Sequence, residues 1–411
     1  MLHLLPPLLL GTDIQTIATS ADFPEAVNGF AFPHIFGTDV LFSSYGAVQE
    51  SIVQKRGSTL TTVVTTGQKF SSVTSPSATD KAVTFVGDNT ALYLTKHPFI
   101  FQDTIAKVGS DGFHEVQNPS LERDNVAFGG IRGDTRRDAV AGIYVSPGDT
   151  REVHTLVNAS RAQPGSKGKL TCLQNPAISK AGFVAFFGSD CPSASRRQDD
   201  DGTRMYRTRP RREHALHLYD KTSEGFTVTA GIYLAQLPAS GGAYPPAGEA
   251  SLTVVADSFS TVPGKPGVSF EAFTSPVASE TMVAFVGATS DGALGVYTYD
   301  LSTPGSLRRI ADTGTAVPGG SGGTFSDFPY PPSVAGTTVV FYAAAGGTAS
   351  GLYAHTRSDA GESTLKKLVT MGDTLNGESI AFLGAGAASS DATTAAFYAV
   401  TQTNGVYTVK I

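Results

Sequence analysis

Seven arginines fall within seventeen residues of this chain: Arg196, Arg197, Arg204, Arg207, Arg209, Arg211 and Arg212. Charged residues make up only 16% of the whole, so the cluster stands out. A guanidinium presents a planar fork of donors that grips a carboxylate or sulfate through two parallel bonds. Tyr206 and His214 lie in the same stretch and can take or give a proton. The stretch therefore suits an acidic ligand, with Arg204, Arg207 and Arg209 binding substrate and Tyr206 and His214 as catalytic groups. The plain alternative is a solvated charge run on a surface loop. Asp199 and Asp201 followed by Gly202 match part of a calcium loop, but no glutamate follows at the spacing that would complete it. Calcium stays a bare option; no cofactor and no metal ligand set is expected.

A second set is scattered. His34, His114, Glu115, Glu271 and Asp327 sit in short apolar segments that would not need them for packing, and Asn118 and Asn175 precede prolines. No local motif joins them: there is no H-E-x-x-H, no G-x-S-x-G and no Walker loop. Gly319 to Gly323 is a turn rather than a phosphate cradle, since no helix with a lysine follows. A ring of repeats would bring such residues together although they are far apart in sequence. His114 is then the candidate catalytic residue, with His34, Glu115 and Glu271 on the substrate. The alternative is a solvated channel lining.

The repeat that would position them is legible. An apolar triplet ending in Phe recurs seven times: Val40-Leu41-Phe42, Val83-Thr84-Phe85, Val126-Ala127-Phe128, Val184-Ala185-Phe186, Val283-Ala284-Phe285, Val339-Val340-Phe341 and Ala395-Ala396-Phe397. A proline precedes the Phe by nine residues at Pro33, Pro76, Pro119, Pro276 and Pro332, and by ten at Pro176. Six copies follow with a tyrosine segment, as in Gly142-Ile143-Tyr144, Gly231-Ile232-Tyr233 and Gly295-Val296-Tyr297. A connector such as Val254-Val255-Ala256-Asp257 or Arg309-Ile310-Ala311-Asp312 leads to the next copy. The polar connector residues are expected to cap turns. Each unit thus supplies four short strands, the blade of a β-propeller.

These units resemble a family of microbial repeat proteins built from V-A-D-T, P-G-G, V-A-F-x-G and G-I-Y elements, with no settled activity. The resemblance spans nearly the whole chain and is closest from Leu252 to Tyr407, at Asp257, Asp312, Pro263 and Pro318. It departs in the first two copies, which lack the Pro-Gly loop, and at the long stretch between Phe186 and Tyr233. It implies a propeller and carries over no catalytic residue.

The expected fold is all-β, a single seven-bladed β-propeller. Residues 1–11 form an apolar leader or disordered start, and 12–411 the ring. Spacing from Phe186 to Phe285 is roughly doubled, so blade four is expected to hold an insertion at about 187–229, between its second and third strands. A degenerate eighth blade is the alternative. The chain finishes on a tyrosine strand and begins with a connector strand, Ile14 to Thr19. That strand should complete the last blade and remove an open edge.

Net charge is −6, which gives no global attraction to nucleic acid or anionic membrane. No apolar run is long enough to span a bilayer. Cys172 and Cys191 fall in one repeat and are either bonded or buried thiols. Asn158-Ala159-Ser160 is a sequon, usable only in a secreted eukaryotic protein. We expect a secreted or periplasmic monomer whose partner is an anionic small molecule or polysaccharide. Its function would be β-elimination on a uronate-bearing polysaccharide at the axial mouth, making it a carbohydrate-binding lyase. The alternative is a non-catalytic scaffold that binds glycan or protein; the absence of Trp counts modestly against a lectin.

Overall fold

Each Phe triplet forms a strand because its residues are buried on both faces, as a strand sandwiched between neighbouring sheets requires. The structure, a computed structural model, describes the chain except residues 1–13, 24–26, 68, 100–101, 136–138, 149, 151, 160, 165–167, 191–228, 240–241, 247, 304, 320–321, 359–362 and 386–389. Its strands assemble into a ring of seven antiparallel blades. Blade 1 runs through Val27–Phe36, Asp39–Gly46, Glu50–Arg56 and Thr59–Thr65. Blade 3 uses Phe113–Glu122, Asn125–Arg132, Val140–Ser146 and His154–Asn158. Blade 4 uses Cys172–Ile178, Phe183–Ser189, Ala230–Gln236 and Leu252–Asp257. Blade 2 uses Val73–Ala78, Ala82–Gly87, Ala91–Lys96 and Gln102–Lys107. In blades 5 and 6 the innermost strand is broken: blade 5 has Phe270–Phe273 and Val277–Ala278, then Met282–Thr289, Leu294–Asp300 and Arg308–Asp312. Blade 6 has Phe325–Asp327 and Ser333–Ala335, then Thr338–Ala345, Gly351–Arg357 and Ser363–Thr370. Only two short 3-10 turns interrupt the β-structure among the described residues.

The ring closes as the sequence implies. Blade 7 takes Phe382–Gly384, Thr394–Val400 and Asn404–Lys410 from the end of the chain, and its fourth strand, Ile14–Thr19, from the start. Ile14 lies opposite Val409 and Thr19 opposite Gly405.

Packing explains the motifs. In Gly-x-Tyr the tyrosine ring folds back over the glycine two residues before it. A Cβ at Gly295 would sit 3.0 Å from the Tyr297 hydroxyl and 2.9 Å from the Ala311 carbonyl. The glycine after the Phe triplet seats an innermost-strand aromatic in the same way: a Cβ at Gly287 would meet the Phe270 ring at 2.9 Å. Phe270, Phe285 and Tyr297 then stack as one triad, repeated by Phe113, Phe128 and Tyr144 and by Phe325, Phe341 and Tyr353. Blade 1 departs. Val53 occupies the tyrosine position, pairing with Phe42, and Phe23 and Phe30 pack on Phe42 instead.

The prolines mark a bulge at mid-height of the innermost strands. In blades 1 to 4 the preceding residue is left-handed: Phe32, Ser75, Asn118 and Asn175 have φ between 48° and 53°. The register slips there, so the missing proline N–H breaks no ladder bond. The residue after the proline ties blades together. The Ser77 hydroxyl accepts from Leu121 N at 3.0 Å and Ser120 from Ile178 N at 3.1 Å. Ser333 accepts from Ser390 N at 2.9 Å, and their hydroxyls also meet at 2.9 Å.

The connector aspartates cap turns, as expected. Asp257 accepts from Phe259 N and the Ser260 hydroxyl; Asp312 accepts from Gly314 N and the Thr315 hydroxyl. Blade 6 reverses the roles: Asp373 accepts from Thr370 N and its hydroxyl. Cys172, which opens the innermost strand of blade 4, is disulfide-bonded.

Candidate functional site

The topology defines two faces of the ring. On the upper face, fourth strands lead into the next blade and second strands turn into third strands. The lower face carries the other hairpins. In blade 4 the second strand ends at Ser189 and the third begins at Ala230, so both ends of the segment between them lie at the upper face. Residues 191–228 lie outside the described ones, and with them Arg204, Arg207, Arg209, Tyr206 and His214.

The root of that segment is well defined. Asp190 N donates to the Thr229 carbonyl at 3.0 Å, and Thr229 N donates to the Asp190 carboxylate at 2.5 Å. The Thr229 hydroxyl donates to the Gln163 amide oxygen at 2.8 Å, while the Gln163 amide donates to the Tyr233 hydroxyl at 2.7 Å. Gln163 comes from the connector between blades 3 and 4 and is fully buried. Burial pushes the Tyr233 phenol far up, so it stays a neutral hydroxyl.

His114 and Glu115 stand at the upper end of the innermost strand of blade 3, and Glu271 is the second residue of that of blade 5. Ladder registers align Glu115 with Asp327, each facing the third residue beyond its triplet Phe. The core between blades 2 and 3 takes Phe113, Val116 and Leu121, so Glu115 and Gln117 belong to the opposite face of that strand. Burial lifts the Glu115 carboxyl above its ordinary range. His114 Nε2 is buried with no hydrogen-bond partner among the described residues. Deeper, at the bulge, the Asn118 amide donates to the Asn175 side-chain oxygen, linking adjacent innermost strands. Glu271 is exposed.

His34 is not brought to this group. It follows Pro33, whereas His114 and Glu115 precede Pro119, so it lies below the bulge in the lower half of the ring. Its ring is half-buried, and the loss of water around it pushes the imidazole down to about 4. It packs edge-on to Phe36 with centroids 6.0 Å apart.

Sequence reasoning passes over Arg132. It ends the strand beside His114, lies opposite Phe113 and holds its guanidinium 5.1 Å from that ring's centroid. It lines a cavity of about 420 Å³ on the upper face of blade 3, with Asp111, Asp134, Tyr144 and Asn158. It forms no ion pair among the described residues. The available signal is an arginine ending an otherwise apolar strand, Val126 to Ile131. The sequon residue Asn158 is packed hard: a Cβ on Gly248 would come within 2.5 Å of its side chain. Among the described residues no three His, Cys, Asp or Glu side chains are grouped to hold a metal ion. No helix among them is long and apolar enough to cross a membrane.

No family model matches the chain, and no protein of curated function matches it. Among solved structures, an oligogalacturonate lyase in complex with manganese aligns at TM-score 0.54 and 12% identity, over 98% of this chain and 93% of its own. An oligogalacturonate lyase from Vibrio parahaemolyticus aligns at 0.51 and 10% identity, over 97% of each chain. A Mycobacterium tuberculosis puromycin-hydrolyzing peptidase aligns at 0.50 and 12% identity, over 94% of this chain and 52% of its own. At such identities the likeness is one of fold.

Proposed function

We propose that this propeller binds an acidic saccharide at the upper mouth of its axis and cleaves it by β-elimination. The observation that carries the reading is His114 Nε2, a buried nitrogen without a partner among the described residues, on the face where both ends of the Arg-rich segment lie. A buried polar atom left unpaired costs about 1–3 kcal/mol, which a ligand hydrogen bond would recover.

In the proposed step a base takes the proton α to the uronate carboxylate. The electron pair forms a carbon–carbon double bond, the bond to the glycosidic oxygen breaks, and an acid protonates that oxygen. His114 supplies the base, with Tyr206 or His214 as acid. Arg132, together with Arg204, Arg207 and Arg209, grips the carboxylate and so binds the substrate. The stretch between Asp190 and Thr229 is then the part of the chain proposed to cover the mouth. Two full-length neighbours in fold bear the name oligogalacturonate lyase, which supports the choice of a uronate. A polysaccharide does not cross a membrane unaided, so the reading goes with a secreted or periplasmic protein.

The test is incubation with polygalacturonate and short oligogalacturonates while near-ultraviolet absorbance is followed. New absorbance from an unsaturated product, lost in His114→Ala, is expected. Binding without absorbance would replace the enzyme with a saccharide-binding scaffold, and neither would end the proposal.

A further inference from the structure

Across the axis from blades 3 and 4 stands blade 7, flanked by blades 6 and 1. Its innermost strand carries Phe382, 42% exposed and one of few large apolar side chains so open to solvent among the described residues. The next residue, Leu383, is fully buried between blades 6 and 7, so Phe382 belongs to the other face of the strand. Its ring lies 5.7 Å from that of Tyr398, tilted by 36°.

Three more tyrosines and a carboxylate converge there. The hydroxyl of Tyr330 is hydrogen-bonded to that of Tyr398. Tyr330 and Tyr342 meet edge to face with centroids 5.3 Å apart. Burial first, then the neighbours Tyr330, Tyr342 and Tyr45, keep the Tyr398 phenol well above its usual range. Burial likewise raises Tyr342, with Tyr330 and the Asp327 carboxylate adding to it. All four rings are half-buried, and burial keeps the phenols of Tyr330, Tyr342 and Tyr398 neutral near neutral pH.

The feature that presents Tyr330 is a local insertion. Between Asp327 opposite Ala344 and Ser333 opposite Val340, six steps along the innermost strand answer four on its partner. In blade 5, five steps from Ala272 to Val277 answer four, from Ala288 to Ala284. The extra residue in Phe328-Pro329-Tyr330-Pro331-Pro332 breaks the strand and swings Tyr330 toward its neighbours. Rings framed by hydroxyls complement a molecule with apolar faces and a polar rim.

We propose that Phe382, Tyr398, Tyr330 and Tyr342 form a stacking wall for a pyranose ring, with Asp327 and the phenols bonding its hydroxyls. The wall faces the His114 and Glu115 side across the axis. This rests on the saccharide reading above and adds to it where the sugar ring is held.

The test uses digalacturonate, with cellobiose as an uncharged comparison, titrated into the full chain by calorimetry. The chain has 14 Tyr and no Trp, so tyrosine emission gives a second, direct readout of contact with the phenols. Phe382→Ala removes an exposed ring and should leave the melting temperature nearly unchanged. It should weaken digalacturonate binding about tenfold or more, and Tyr330→Phe should weaken it severalfold. Unchanged binding in both variants, while His114→Ala abolishes unsaturated product, overturns the wall and keeps the lyase. Weakened binding with no product from the parent protein keeps the wall and overturns the lyase. Absence of binding by either sugar overturns both.

Discussion

Gln163 donates its amide proton to the Tyr233 hydroxyl at 2.7 Å, in the buried interior beside the root formed by Asp190 and Thr229. The same phenol position in blade 5 behaves differently, because the Tyr297 hydroxyl is buried without a partner among the described residues. Tyr233→Phe should therefore cost about 1–3 kcal/mol, since it strips an acceptor from a buried amide. Tyr297→Phe should be neutral or stabilising. Urea denaturation of both variants decides the matter, and equal losses would show that the phenols share one role.

The serine ties between blades should rank by how much each buries. Ser333→Ala deletes two bonds in a fully buried setting, whereas Ser120→Ala deletes one beside a half-exposed side chain. A loss of about 1–3 kcal/mol is expected for Ser333→Ala and less for Ser120→Ala. Equal stability of Ser333→Ala and the parent in denaturant would remove these ties from the account.

His34 should make stability depend on pH. Its folded value is pushed down to about 4 from an ordinary 6.5, so the unfolded chain binds the proton more readily between these values. Stability from this group is complete above 6.5 and declines as pH falls toward 4. His34→Gln should flatten that part of the melting profile. A profile unchanged by the substitution would contradict the burial argued for the ring.

Ring closure predicts a large effect from a short truncation. Removing residues 1–20 takes away the fourth strand of blade 7 and uncovers Asn404–Lys410 as an open edge. A sharply lower melting temperature and a tendency to aggregate are expected. A truncated chain melting like the parent would rule the closure out.

If the lyase reading holds, variants should split kinetically. His114→Ala should lower kcat by about 10²–10⁴-fold, the usual worth of a positioned acid or base. Arg132→Ala and the triple replacement of Arg204, Arg207 and Arg209 should raise KM with kcat little changed. Loss of kcat in the arginine variants alone would move the chemistry away from His114.

The ring was legible because its packing is stereotyped. A tyrosine folded over a glycine two residues earlier leaves a mark in every copy that keeps it, such as Gly295 and Tyr297. Blade 1 hid its third strand because Val53 replaces the tyrosine and Phe23 arrives from outside the unit. The site was less legible. Tyr45, Tyr330, Tyr342 and Tyr398 come from three blades, and no spacing rule links them. The offset of His34 from its proline was readable, since it follows Pro33 while His114 precedes Pro119. Grouping them by residue type concealed that they lie on opposite sides of the bulge.

Ile14 opposite Val409 has a consequence for how the chain is made. The first strand of the ring to leave the ribosome is needed by nearly its last. Blades 1 to 6 can assemble in order during synthesis, each against the one before. The strand Ile14–Thr19 must wait unpaired throughout, with its donors and acceptors open. Closing the ring spans almost the full chain, a contact of the slowest kind. A nascent ring that lingers in this state could take the missing strand from a second chain, so the final pairing is where synthesis is most open to exchange between molecules.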